Sequence, residues 1–282
     1  MKSKIIVLGR SGQVATELAA LGCACFGRER ADLETPGVAA DLIAANTPRA
    51  VINAAAYTAI DRAEGEEALA MRINGAAVGE VAQACASLGV PLVHISTDYV
   101  FDGRGETPWQ PDDPTAPLGA YGRSKLAGEE AVRHAGGVHA ILRTSWVFSA
   151  QGANFVKTML RLGAERDALR IVTDQWGGPT PARDIARACL TMAERLTPET
   201  TGTYHFAGQP TTTWAGFAEE IFAAASMQVD VTPILSEDFP TPASRPKNSR
   251  LNCTSLEAAF GITPPDWKAG LTATLKELGH GA

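Results

Sequence analysis

The sequence predicts an α/β protein: a Rossmann-type, doubly wound parallel sheet with a smaller C-terminal substrate-binding domain. Three observations carry that expectation. Short apolar runs alternate with longer amphipathic ones through the first two thirds of the chain, which is the pattern of βαβ units. The first apolar run ends in a glycine-rich turn, GRSGQVATEL, that opens a helix. Beyond residue 209 the composition changes, and one helical pattern is followed by the proline-rich stretch TPILSEDFPTPASRPKNSRL.

The elements follow in order. KIIVL (4–8), CACF (23–26), AVINA (50–54), PLVHIS (91–96) and VHAILR (138–143) read as strands, being short, apolar or β-branched and bounded by breakers. Between them, QVATELAALG, GVAADLIAAN, EALAMRINGAAVGEVAQACASLG and YGRSKLAGEEAVRHAG carry helical patterns. Later, ALRIV (168–172), ARDIARACLTMAERL (182–196) and GTYHFAG (202–208) add further sheet and helix. TTTWAGFAEEIFAAA starts a helix behind threonine caps, a residue type that accepts from exposed first-turn amides. The expected division is 1–150 with 180–208 as an NAD(P)-binding Rossmann domain, and 151–179 with 209–282 as the substrate-binding portion.

Composition limits the partners. With 282 residues, 45% hydrophobic and 20% charged, the chain has enough apolar material for a substantial core. Its net charge of -6 argues against nucleic acid or an anionic membrane as partner. The five cysteines, Cys23, Cys25, Cys85, Cys189 and Cys253, are scattered and form no zinc spacing, so no metal is expected from them. MKSKIIVLG reaches a glycine after only four apolar residues, too few for a signal segment. A cytoplasmic protein is the expectation, as a monomer or weak homodimer.

A strand, a glycine turn and a helix N-terminus together make a phosphate cradle, because free backbone N–H groups and the helix dipole favour anions. Gly9, Ser11, Gly12, Gln13 and Val14 are therefore candidate dinucleotide contacts. In such folds the loop after the second strand reaches the adenine ribose. Here it reads Gly27-Arg28-Glu29-Arg30, with Asp32 and Leu33 following. Arg28 suits the 2′-phosphate of NADPH, while Glu29 and Asp32 leave NADH open. Ala55, Ala56 and Tyr57 follow the third strand, where small side chains let a cofactor approach the backbone.

The reacting groups stand further on. Ser96 and Thr97 close the fourth strand, and ligands of open α/β sheets bind at the carboxyl ends of strands. Tyr121 and Lys125 are four residues apart in a helical stretch, so they share a face. A lysine beside a phenol is expected to lower the phenol's pKa from its usual ~10. Thr97 would hydrogen-bond a carbonyl, Tyr121 would donate a proton, and Lys125 would hold the nicotinamide ribose. His94 falls on the same strand face as Ser96, without an apparent partner acid, and reads as a buried, hydrogen-bonded histidine. Trp176 and Trp214 read as packing residues or pocket walls.

The chain resembles the extended short-chain dehydrogenase/reductases, in particular the dTDP-4-dehydrorhamnose reductase family. The likeness runs through GRSGQVATEL, VINAAAYTAID, STDYVFDG, YGRSKLAGE, LRTSWVF, NFVKTMLRL, TDQWGGPT, TTTWAGFA and TPASRPKNSRL. It implies NADPH-dependent reduction of the C4 ketone of dTDP-4-dehydro-β-L-rhamnose to dTDP-L-rhamnose, so a dTDP-sugar is the implied partner. It also implies that Trp146 packs on the deoxysugar, that Thr97 and Asp98 contact it, and that Asn154 belongs to the substrate site. Some members hold Mg²⁺ through glutamates, one of them matched by Glu17. Arg183 stands where another carboxylate would be expected, so no metal is expected there either. Arg245, Lys247 and Arg250 form a basic cluster that prolines stiffen, and Arg245 is the candidate for a diphosphate. A sibling reductase making an epimeric 6-deoxyhexose, and a non-catalytic NADP-binding subunit, remain alternatives; the second would be expected to lack part of the Thr–Tyr–Lys set.

Overall fold

Ile5, Ile6, Val7 and Leu8 are all buried, which a strand achieves when helices cover both faces of its sheet. In the computed structural model, which describes residues 4–280, this strand (β1, Ile5–Leu8) lies inside a six-stranded sheet. β2 (Ala24–Phe26) pairs on one side of β1 and β3 (Ala50–Asn53) on the other. The sheet continues through β4 (Leu92–Thr97), β5 (His139–Thr144) and the strand Gly202–His205, all parallel. The winding thus reverses between β1 and β3, and a crevice opens at the carboxyl ends of the strands beside that point.

The two faces are covered by different helices. On one, Val7, Ile52 and Leu142 pack with Ala15 and Leu18 of α1 (Gln13–Ala20) and with Ile185, Cys189 and Met192 of the helix Ala182–Arg195. On the other, Leu8, Val51 and Ile141 meet Leu42 and Ile43 of α2 (Val38–Asn46) and a second helical layer. That layer runs α3 (Ile60–Ala63), α4 (Glu67–Met71), α5 (Ala77–Leu88) and α6 (Ala120–Ala135). A third apolar core, separate from the two on the sheet faces, holds Phe148, Val156, Leu160, Leu169, Phe217, Phe222, Trp267 and Leu271.

Three elements depart from the sequence expectation. The stretch 67–89 is not one helix, because a π turn, Arg72–Ala76, separates α4 from α5. Its extra residue lets Asn74 accept from the Tyr57 amide (2.8 Å) and donate to Ser124 Oγ (3.0 Å). The strand Ala168–Val172 pairs with a second strand, Asp230–Ile234, which the proline-containing sequence had concealed. The helix Thr254–Phe260 lies within the stretch expected on the substrate side, yet it buries Leu256 and Phe260 against the main sheet. The chain there returns to the dinucleotide half. Among the described residues no helix is long and apolar enough to cross a membrane.

Candidate active site

Period-two alternation along β4 sends His94 and Ser96 toward α6, while Thr97 ends the strand at the crevice. Thr97 Oγ1 donates to Asp98 Oδ1 (3.0 Å) and accepts from the Tyr99 amide (3.2 Å), which fixes its hydroxyl. α6 begins at Ala120, whose amide donates to Glu64 Oε1 (2.8 Å). From there Tyr121, Lys125 and Glu129 recur every fourth residue and face β4. Lys125 Nζ donates to the Ile95 carbonyl (2.7 Å) and lies 3.5 Å from His94 Nε2. Tyr121 packs edge-on to Tyr99, with ring centroids 5.6 Å apart.

The electrostatics correct one expectation. Burial pushes the Tyr121 phenol above its usual range, and the Thr97 hydroxyl pulls it back by less. Lys125 is not among the groups that lower it. The lysine's own hydrogen bond goes to the Ile95 carbonyl, and burial has pushed its value down to about 8. The phenol therefore stays protonated at neutral pH, as a proton donor must. Asp98 is raised to about 6, chiefly by burial, and its Oδ2 has no partner.

A cleft of about 610 Å³ joins these groups to the glycine turn. Ser11, Gly12, Gln13, Val14, Ala55 and Ala56 line it together with Thr97, Asp98, Tyr99, Tyr121 and Lys125 and with the Trp146–Trp214 pair. The residues fit a dinucleotide. Gly9 has φ +114°, and a Cβ there would meet the Ala54 carbonyl and Ala55 amide at 3.3 Å, so the two turns approach as only glycine permits. α1 carries no side-chain cap and no acid in its first turn, leaving its amides free for an anion.

Other expected residues lie at the rim or elsewhere. The Arg28 side chain is 72% exposed and pairs with Glu34 (3.1 Å) and Asp32 (3.9 Å). Asp32 also accepts the Glu34 amide (3.1 Å), and Leu33 is buried in a core. Tyr57 turns away from the cleft, its hydroxyl donating to Glu66 (2.6 Å). Asn154 caps the helix Phe155–Glu165, and its amide NH₂ donates to Gln13 Oε1 (3.0 Å) and Ser149 O (2.8 Å). Both ends of that amide are engaged inside the protein.

The basic cluster is dispersed. Arg245 pairs with Asp61 (2.7 Å), leaving its Nη1 without a partner. Lys247 pairs with Asp174 (2.9 Å), and Arg250 lies over the exposed Trp176 ring (4.9 Å) while bonding the Glu106 carbonyl. Arg183 bonds Glu277 and approaches Glu17 (3.7 Å). Among the described residues no cluster of three metal-ligating side chains occurs.

The pairing of the two expected tryptophans, and several neighbours, escaped the sequence. Trp146, at φ +49°, a conformation uncommon outside glycine, stacks on Trp214 at 3.7 Å between ring centroids. A Cβ on Gly177 would stand 2.6 Å from that indole. Thr144 lines the cleft with its hydroxyl unpartnered. Glu129 is anchored by Ser96 (2.6 Å) and Arg143. Its position one turn beyond Lys125 was the available signal.

The family model described as RmlD substrate binding domain matches residues 3–280. A dTDP-4-dehydrorhamnose reductase of Sinorhizobium fredii is 43% identical, with 94% of each chain covered. That of Escherichia coli is 40% identical, with 97% of each covered. The crystal structure of a dTDP-4-dehydrorhamnose reductase from Clostridium acetobutylicum superposes with TM-score 0.92 at 36% identity, covering 98% of this chain and 99% of that one. That of the Bacillus anthracis reductase in complex with NADP gives TM-score 0.92 at 35% identity, over 98% and 100%.

Proposed function

The chain belongs to the RmlD substrate binding domain family, and from that premise we infer the reaction it performs. It reduces the C4 ketone of dTDP-4-dehydro-β-L-rhamnose, giving dTDP-L-rhamnose, and is an NADPH-dependent oxidoreductase. The observation that carries this reading is that Thr97 and a protonated Tyr121 share one cleft with the glycine turn. NADPH, when bound, supplies the hydride.

The chain's own residues do the rest. The amides of the first turn of α1 and the small side chains of Ala55 and Ala56 hold the pyrophosphate end. Arg28, exposed beyond β2, reaches for the 2′-phosphate in exchange for its ion pair with Glu34. Thr97 donates to the ketone oxygen as negative charge develops there, and Tyr121 passes its phenolic proton to that oxygen. A proton donor held in place this way is typically worth ~10²–10⁴ in rate. Lys125 holds the nicotinamide ribose from the floor of the cleft. The Trp146–Trp214 pair walls the deoxysugar, and Arg245 clamps the diphosphate from the rim. Five free thiols suit a cytoplasmic setting.

The test is NADPH oxidation by the purified chain with the 4-keto sugar nucleotide generated in situ, the product identified by NMR. The reading requires stoichiometric dTDP-L-rhamnose. An epimeric 6-deoxyhexose as sole product, or NADPH binding without turnover, would overturn it.

A further inference from the structure

His94 has 0% exposure and stands between Asn53 of β3 and Lys125 of α6, with no part in the chemistry above. We propose that His94 positions Lys125 by donating its Nε2–H to the uncharged amine, its tautomer dictated from the far side by Asn53 and the Ala55 amide. The inference rests on the assignment of Lys125 to the reacting centre.

The argument is one of hydrogen-bond direction. The Ala55 amide can only donate, and it donates to Asn53 Oδ1 (3.2 Å). The other end of that side chain, Nδ2, therefore faces His94 Nδ1 at 3.2 Å. An amide NH₂ has no lone pair to offer, so Nδ1 accepts. Flipping Asn53 would set its NH₂ against the Ala55 N–H and strand a buried donor, which is unfavourable. In the uncharged ring the proton then sits on Nε2, 3.5 Å from Lys125 Nζ.

That orientation distinguishes the two forms of the lysine. An ammonium would oppose N–H to N–H across the contact, whereas an amine can turn its lone pair to His94 and still donate to the Ile95 carbonyl (2.7 Å). Burial holds His94 well below the ordinary imidazole value, so the ring stays neutral. The charged and titratable groups around Lys125 are few. Glu129 on the same helix favours the ammonium, but its carboxylate is taken by Ser96, Arg133 and Arg143. Tyr121 and Asp98 line the same cleft. Lys125 is thereby a group that changes protonation near working pH, not a permanent cation.

The test starts from the unmutated chain with ¹⁵N-labelled histidine, read by long-range ¹H–¹⁵N NMR, with the His94 signals assigned by their loss in His94→Gln. From roughly pH 5, below an ordinary imidazole midpoint, to roughly pH 9, the proton should remain on Nε2. The Nε2 shift should move as Lys125 titrates, and that movement should vanish in Lys125→Met. A proton on Nδ1, or a doubly protonated ring in this range, overturns the proposal. Asn53→Asp supplies a second readout: a carboxylate accepts both from Ala55 N–H and from a proton on Nδ1, turning the Nε2 lone pair to Lys125. The basic limb of the kcat profile should then rise by about one pH unit, the scale of a hydrogen-bond effect on a buried group. Lower activity with an unmoved limb would mean that His94 only packs, and overturns the proposal. Lys125→Met with undiminished turnover would instead sink the assignment of Lys125, leaving the tautomer result intact.

Discussion

Arg143 grips Glu129 at two points, Nε to Oε1 at 2.9 Å and Nη2 to Oε2 at 2.7 Å, and both side chains have at most 1% exposure. The pair lies one helical turn beyond Lys125 and ties α6 to β5. Arg143 Nη1 also donates to the Pro111 carbonyl (3.0 Å), so the same guanidinium holds the segment after β4. Removing one partner of a buried pair typically costs ~3–5 kcal/mol, and because Arg133 also bonds Glu129 (2.7 Å) the carboxylate keeps one cation, which holds the loss to the lower end of that range. Arg143→Met should lose that much in urea unfolding, and Glu129→Met/Arg143→Met should recover part of it. A single variant within about 0.5 kcal/mol of the parent chain, the range of surface substitutions, would show the pair to be dispensable.

Tyr121→Phe removes the proposed proton donor and its hydrogen bond with Thr97, while the ring keeps its edge contact with Tyr99. kcat should fall by ~10²–10⁴ while NADPH affinity, measured by fluorescence titration, stays nearly unchanged. Turnover close to that of the parent chain would transfer the acid role to another group.

Arg245 is held by Asp61 and presents a buried, unpartnered Nη1. Losing one charged hydrogen-bond partner typically costs ~1.5–3 kcal/mol, or roughly ten- to a hundred-fold in affinity. Arg245→Ala should raise KM for the nucleotide sugar by that factor and leave NADPH binding alone. The reverse pattern, intact KM with weakened NADPH, would make Arg245 a cofactor contact.

Asp98 sets a pH-dependent stability. Its folded-state value of about 6 lies above the ordinary 3.8, so between these pH values the folded chain keeps a proton that the unfolded chain has released. Stability from this group therefore falls as pH rises through that window, and the penalty is fully present above about pH 6. Its size is on the order of 3 kcal/mol. Asp98→Asn should gain more stability at neutral pH than in acid, where the carboxyl is already neutral, while losing turnover if Asp98 contacts the sugar. Equal effects in chemical denaturation at both pH values would show that Asp98 is not strained by its burial.

The features legible in advance were those set by short-range spacing. Alternating apolar runs marked β1 to β5, the glycines marked the turn into α1, and the four-residue step put Tyr121 and Lys125 on one face. These depend on backbone geometry, which neighbouring residues determine. The same local rule misjudged the phenol, because burial outweighs everything its neighbours contribute. Burial raised Tyr121, and the Ile95 carbonyl engaged Lys125.

Arg28, Lys247 and Arg250 looked like free cations in the sequence, yet Glu34, Asp174 and the Trp176 ring meet them in the fold. Trp146 and Trp214 lie far apart in the chain and stack face to face; Asn53 and His94, on neighbouring strands, orient one another. The sequence by itself determined most of the element types, the glycine turn into α1 and the helical spacing that puts Tyr121 and Lys125 on one face. Only the tertiary structure decided their protonation and their partners. Desolvation and pairing depend on which remote segments surround a group, and chain spacing carries no record of that.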